Sequence, residues 1–217
     1  MNPSLSMEIN VLLEIAEMKR IYAAIKASLM KSNPACLAVS SAASGEGKTV
    51  IVAGLAAIAA REGGKKRILA VDLNWQDPAL HRHFGLDMIG AGSVKNGISV
   101  GELAQNSGIN NLDILTAVQS GTDNGELYAD KHSIAAEIMK QARDTYDIIF
   151  VDTSKMFPTN RYMIDPVDIS KNADGVALIV FANVTPRQQV KRAKTMLETA
   201  GANVIGFILN QWKNPMA

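Results

Sequence analysis

Apolar positions along the chain follow two different patterns. From about Ser6 to Lys31, Leu12, Ile15, Met18, Ile21 or Tyr22, Ile25 and Leu29 recur at helical spacing. Glu14, Glu17, Lys19, Arg20 and Lys26 fill the positions between them. This predicts an amphipathic helix over 6–31, stopped near Asn33-Pro34. Beyond it, apolar residues come in short unbroken runs: CLAVSS, RILAVD (67–72), YDIIFVD (146–152), GVALIVFA (175–182) and NVIGFILN (203–210). Strands of that kind are buried on both faces, as in a parallel sheet covered by helices. NLDILTA (111–117) adds a strand with some alternation.

Helical patterns occupy the intervals, at about 48–61 with Gly63-Gly64 closing it, at 131–145 and at 186–200. The last is introduced by Thr185-Pro186, which reads as an N-cap followed by proline at the first helical position, and it ends at Gly201. Strand and helix therefore alternate along the chain. The predicted architecture is a single doubly wound α/β domain over 1–217, a mainly parallel sheet with helices on both faces. Residues 85–108, rich in Gly, Ser and Asn, form the expected irregular surface segment.

Composition narrows the class. With 217 residues, 47% of them hydrophobic, the chain can bury a substantial core. A net charge of +1 gives no electrostatic ground for nucleic-acid binding, so none is expected. Cys36 is the one cysteine, which excludes an internal disulfide and fits a reducing compartment. The longest apolar run, Val50 to Ala60, is too short to span a bilayer, and the N-terminus has no signal-peptide pattern. The expectation is a cytoplasmic protein whose membrane association comes through a partner or a surface patch.

The candidate chemistry lies in SAASGEGKT (41–49), between an apolar strand and an Ala-rich helix. Strand, glycine turn and a helix opening at Lys-Thr are the setting of a phosphate-binding loop, although Ala42 stands where its first glycine usually is. Ser44, Gly45, Glu46, Gly47 and Val50 would wrap the phosphates with converging backbone N–H groups. Lys48 would reach the β- and γ-phosphates and Thr49 would ligate Mg²⁺. A capped helix after an ordinary turn is the plain alternative. Asp72 and Asp152 end two of the predicted strands, where ligands of doubly wound sheets sit. Carboxylates there can hold Mg²⁺, and one of them, Asp72, can orient or deprotonate a nucleophile.

The same residues carry a family resemblance. The chain resembles the bacterial tyrosine kinases of capsule and exopolysaccharide assembly, a branch of the phosphate-loop ATPases that include MinD and ParA. ASGEGKT (43–49) is similar to that family's A-P-G-E-G-K-[ST], which lacks the first glycine as this loop does. DLNWQDPALHRHFGL (72–86), NLDILTAVQSGTDNGEL (111–127), YDIIFVDT (146–153) and VIGFILN (204–210) resemble its further motifs in the same order. The resemblance implies a phosphate-loop ATPase fold and ATP or ADP with Mg²⁺ as ligands. It implies Lys48, Asp72 and Asp152 as catalytic residues, Thr49, Asp72 and Asp152 at the metal, and Asn210 at the adenine. It also implies a partner, the cytoplasmic tail of a membrane polysaccharide-assembly protein, and a homo-oligomer through the first helix, whose apolar stripe has packing on the sheet as the equal alternative.

Several positions depart from the family pattern. Asn74 replaces the second acid of D-x-D, Gln76-Asp77 the paired arginines, Ser154-Lys155 the two prolines after YDIIFVDT, and Ala23 an arginine of E-x-x-R-x-x-R. The tyrosines lie scattered at 22, 128, 146 and 162, without the terminal cluster on which the family's kinases phosphorylate one another. Impaired autophosphorylation is therefore expected. The alternative reading is a non-catalytic, nucleotide-gated regulator acting through its oligomeric state. His81 and His83 read as part of the L-H-x-x-F-G-L pattern rather than a metal pair, since no third ligand accompanies them. Lys191, Arg192 and Lys194 form a basic helix face, either solvated or docked on a membrane protein's tail or anionic lipid.

Overall fold

The computed structural model describes residues 7–29, 31–94, 98–119, 131–158, 160 and 163–211. Its strands are β1 (Ala35–Ser41), β2 (Ile68–Asp72), β3 (Gln105–Asn106), β4 (Leu112–Leu115), β5 (Ile148–Asp152), β6 (Gly175–Phe181) and β7 (Val204–Asn210). They form one sheet in the order β3-β4-β2-β5-β1-β6-β7. All pairs are parallel except β3 with β4. The two-residue strand β3 lies inside the segment expected to be irregular.

The unbroken apolar runs have a direct explanation in the two cores. Leu37 and Val39 of β1, with Ile148 and Phe150 of β5, face the helices α1 (Met7–Glu14), α2 (Ala16–Ser28) and α3 (Lys48–Glu62). Cys36, Ala38, Ile149 and Val151 face the opposite core. That side is closed by the helices at Lys131–Thr145 (α6), Pro166–Lys171 (α7) and Arg187–Thr199 (α8). Both faces of the central strands are dry, so neither can be polar. The shorter helices Leu80–Phe84 (α4) and Val100–Leu103 (α5) lie between β2 and β3.

Three expectations are revised. The single helix over 6–31 is two helices, broken at Ile15, whose ψ of 121° is extended. The break lets Leu12 and Met18, on different helices, both pack at Gly54 of α3, where an added Cβ would meet them at 3.1 and 3.2 Å. The apolar stripe is thus buried in its own chain, with Tyr22 inside and Ile21 half-buried. Among the described residues, the strand β7 is covered on one side only. Ile208 is buried, but Phe207 and Leu209 are 49% and 57% exposed on the sheet's outer edge. Finally, Thr185 is not the N-cap of α8. Pro186 takes that place with extended φ and ψ, and the Thr185 hydroxyl is engaged elsewhere.

Candidate nucleotide site

The β1–α3 loop turns at Gly45 and Gly47, with φ of 75° and 92°. These are left-handed values that glycine takes without strain. Ala42 and Ser44 have negative φ, so the loop has no conformational need for a glycine at 42. Ala42 is buried, and its carbonyl accepts the N–H of Phe157 at 2.9 Å. Beside it the Ser41 carbonyl accepts the N–H of Met156 at 2.8 Å. The segment after β5 is thereby laced to the start of the loop.

Lys48 opens α3 and is buried. Its ammonium donates to the Ser41 hydroxyl at 3.0 Å, and that hydroxyl donates to the Ala43 carbonyl at 2.7 Å. Burial pulls the Lys48 pKa down, Asp152, Glu46 and Asp77 push it back up, and Lys155 lowers it again. A partly desolvated cation at a helix N-terminus is a strong anion site.

Thr49 donates its hydroxyl to Asp152 Oδ2 at 2.5 Å. Asp152 Oδ1 is buried and, among the described residues, has no hydrogen-bond partner. An ionised oxygen in that state is costly unless a cation or a proton reaches it. Asp72 stands directly beside Asp152 in the β2–β5 register. Its Oδ1 accepts the Asn74 N–H at 3.0 Å, and its Oδ2 accepts those of Ala79 and Leu80 at 3.2 and 3.1 Å. Burial, then the Asp152 charge, push the Asp72 carboxyl up, while the three N–H groups hold it down. Asp152 is raised by burial and drawn back by the Thr49 hydroxyl and Lys48.

Above these groups opens a cavity of about 440 Å³. Ser44, Gly45, Gly47, Lys48, Thr49 and Val50 line its loop side. Its far wall holds Asn74, Gln76, Asp77, His83 and Lys155, from the segments after β2 and β5. Glu46 and Asn210 do not line it. The Glu46 side chain turns the other way, accepting the Ala43 N–H at 3.0 Å and the Thr185 hydroxyl. Asn210, at the end of β7, donates from Nδ2 to the Glu46 carbonyl at 3.0 Å. A Cβ at Gly47 would lie 2.6 Å from that nitrogen, so the amide packs on the loop itself.

Among the described residues no group of three or more His, Cys, Asp or Glu side chains could hold a metal ion. A hard cation at Thr49 and Asp152 would draw its remaining ligands from water and phosphate oxygens, which is how Mg²⁺ is usually held. The orphaned Asp152 Oδ1 fits that role. Also among the described residues, no helix is long and apolar enough to cross a membrane.

The profile of the CobQ/CobB/MinD/ParA nucleotide binding domain matches residues 37–217. Tyrosine-protein kinase YwqD of Bacillus subtilis is 30% identical over 174 residues, 79% of this chain and 70% of that protein. The chain belongs to the CobQ/CobB/MinD/ParA nucleotide-binding family, in its bacterial tyrosine-kinase branch. The putative tyrosine-protein kinase CapB of Staphylococcus aureus is 27% identical over 196 residues, 88% of this chain and 82% of that one. The crystal structure of the chimerical protein CapA2B2 shares the fold with a TM-score of 0.77 at 22% identity, covering 97% of this chain and 92% of that one.

Family membership explains the loop without its first glycine. It does not explain Thr185, which no motif marks and which reaches Glu46 only because β6 lies next to β1. The departures from the family pattern, by contrast, prove to be neighbours. Ser154 donates to Asn74 Oδ1 at 3.2 Å, Asn74 Nδ2 donates to the Asp77 carbonyl at 2.8 Å, and Asn160 donates to Gln76 at 2.9 Å.

Proposed function

We propose that the chain binds Mg-ATP in the cavity above Lys48 and Thr49 and works as a phosphotransferase of the polysaccharide-assembly tyrosine-kinase type. The observation that carries this is the Thr49–Asp152 pair, with its buried oxygen unpartnered, beside a buried lysine at a helix N-terminus. Bound Mg²⁺ would neutralise charge on the β- and γ-phosphate oxygens. Thr49 and Asp152 would hold it, directly or through water. Lys48 would leave Ser41 for the phosphates, and the loop N–H groups would orient them. Asp72 is assigned the nearby water-orienting or base role, and Asn210 the adenine side of the loop. The kinase relatives support a tyrosine acceptor, with recruitment by the cytoplasmic tail of a membrane protein.

A second reading has its own support. Both Asp72 oxygens already accept backbone N–H groups, and the Asn74 amide is spent on Asp77 and Ser154. A nucleotide-gated regulator needs neither group for chemistry. Incubation with labelled ATP and Mg²⁺, followed by phosphoamino-acid analysis, separates the two. Phosphotyrosine on this chain or on an added tail peptide supports the kinase, whereas bound nucleotide without transfer supports the regulator. Lys48→Met is expected to abolish calorimetric binding of Mg-ATP and Mg-ADP while the chain stays folded. Near-wild-type binding by that variant would remove the site from the loop.

A further inference from the structure

The wall of the cavity opposite the loop carries a second lysine. Lys155 and Lys48 line the same space, and the Lys155 charge is close enough to act on the Lys48 ammonium. Lys155 is half-buried, and among the described residues it makes no ion pair and no hydrogen bond. Two like charges facing one small cavity repel each other unless an anion lies between them. We propose that Lys155 is a phosphate-binding residue that contacts the terminal phosphate of a nucleoside triphosphate. This rests on the reading of the cavity as the nucleotide site.

Position supports the assignment. Lys155 lies on a short strap pinned on both sides. The Thr153 N–H is bonded to the Val39 carbonyl at 3.2 Å and the Ser154 hydroxyl to Asn74 at 3.2 Å. Past the lysine, the N–H groups of Met156 and Phe157 are bonded to Ser41 and Ala42. The strap is thus fixed to the phosphate loop, and a lysine held in this way starts from a defined place.

Direction supports it as well. Asn210 and Thr185 meet the loop from the β6 and β7 side, through Glu46 and Gly47. The cavity opens toward β2 and β5, and no described residue beyond Met163 lines it. A base on the Asn210 side places the first phosphates over the loop and the last one deepest in this cavity. Lys155 lines that cavity. Since Asn74 is uncharged, the lysine charge on this wall is offset by Asp77 alone among the described charged lining residues. The wall therefore favours a triphosphate tail over a diphosphate.

The test is a calorimetric comparison of Mg-ATP and Mg-ADP on the full chain, wild type beside Lys155→Met and Lys155→Arg. One charge-assisted contact is lost in the methionine variant, so its ATP affinity is expected to fall about tenfold. Its ADP affinity should change less than about twofold, because the lost contact lies beyond the β-phosphate. Lys155→Arg should keep most of the preference for ATP. An unchanged ATP-to-ADP ratio in Lys155→Met overturns the proposal while leaving the nucleotide site intact. Absence of binding of either nucleotide to the wild type overturns the site reading, and this inference with it.

Discussion

The hydroxyl of Thr185 hydrogen-bonds the carboxylate of Glu46 and also accepts the N–H of Phe181. One side chain therefore ties the connection after β6 to the phosphate loop. Glu46 is 2% exposed, and replacing Thr185 by Val leaves its buried carboxylate short of a donor. Thr185→Val is expected to destabilise the chain by about 1–3 kcal/mol and to weaken nucleotide binding, with Thr185→Ser close to wild type. Urea unfolding alongside calorimetry checks this. Equal stability of the valine and serine variants would show that the bond contributes nothing.

The Asp152 pair sets a pH dependence. Burial raises both Asp72 and Asp152 above the ordinary carboxylate range. Each then holds more protons folded than unfolded, so its contribution is full below that range and is lost as pH rises through the raised value. The nucleotide-free chain should lose stability from about pH 4 upward on this account. Asp152→Asn should flatten that decline, raising the melting temperature at about pH 8 and leaving it little changed at about pH 4. The same variant should lose Mg²⁺-dependent nucleotide binding. Parallel melting curves of the two proteins would refute the assignment.

Asn74 holds its amide nitrogen to the Asp77 carbonyl and its oxygen to Ser154. Asn74→Asp exchanges the first of these bonds for a hard anionic oxygen at the cavity wall. The variant should reach half-saturation at lower Mg²⁺ and should hydrolyse ATP faster once Mg²⁺ is saturating. Steady-state hydrolysis across a Mg²⁺ titration measures both. An unchanged or slower rate at saturation would place residue 74 outside the metal's reach.

Two of the four tyrosines are enclosed. Tyr22 is 2% exposed between the N-terminal helices and α3, and Tyr146 is 6% exposed with its hydroxyl on Asp113 at 3.0 Å. Burial raises the pKa of both phenols. Neither can enter another subunit's site without local unfolding. Peptide mapping after prolonged incubation with Mg-ATP should find both unmodified. Phosphate on either would mean that the fold opens during turnover. Tyr128 and Tyr162 lie outside the described residues.

The parallel sheet was legible because its central strands must be apolar on both faces, and the loop was legible because its glycines mark positive φ. Sequence runs misled where an edge enters. NVIGFILN reads like a central strand, yet among the described residues nothing covers Phe207 and Leu209. The break at Ile15 was hidden because a kink at an apolar residue preserves the spacing on either side. Thr185 was misassigned because Thr-Pro signals a helix start locally, whereas its partner Glu46 is 139 residues away. Lys155 was visible as a departure, but only the cavity gives it a neighbour in Lys48. Residues joined across a sheet leave no periodicity to read.

Asp72 and Asp152 are partners in the β2–β5 ladder, so the sheet acts as a ruler for their charges. Adjacent strands lie about 4.8 Å apart, and the backbone bonds of the β2–β5 ladder keep that spacing from widening. Two side chains on flexible loops would simply swing away from each other. Here repulsion has nowhere to relax, and it stays until a proton or a cation arrives. The spacing of the two rungs, rather than the reach of either side chain, therefore sets how strongly a proton or a cation is held between them.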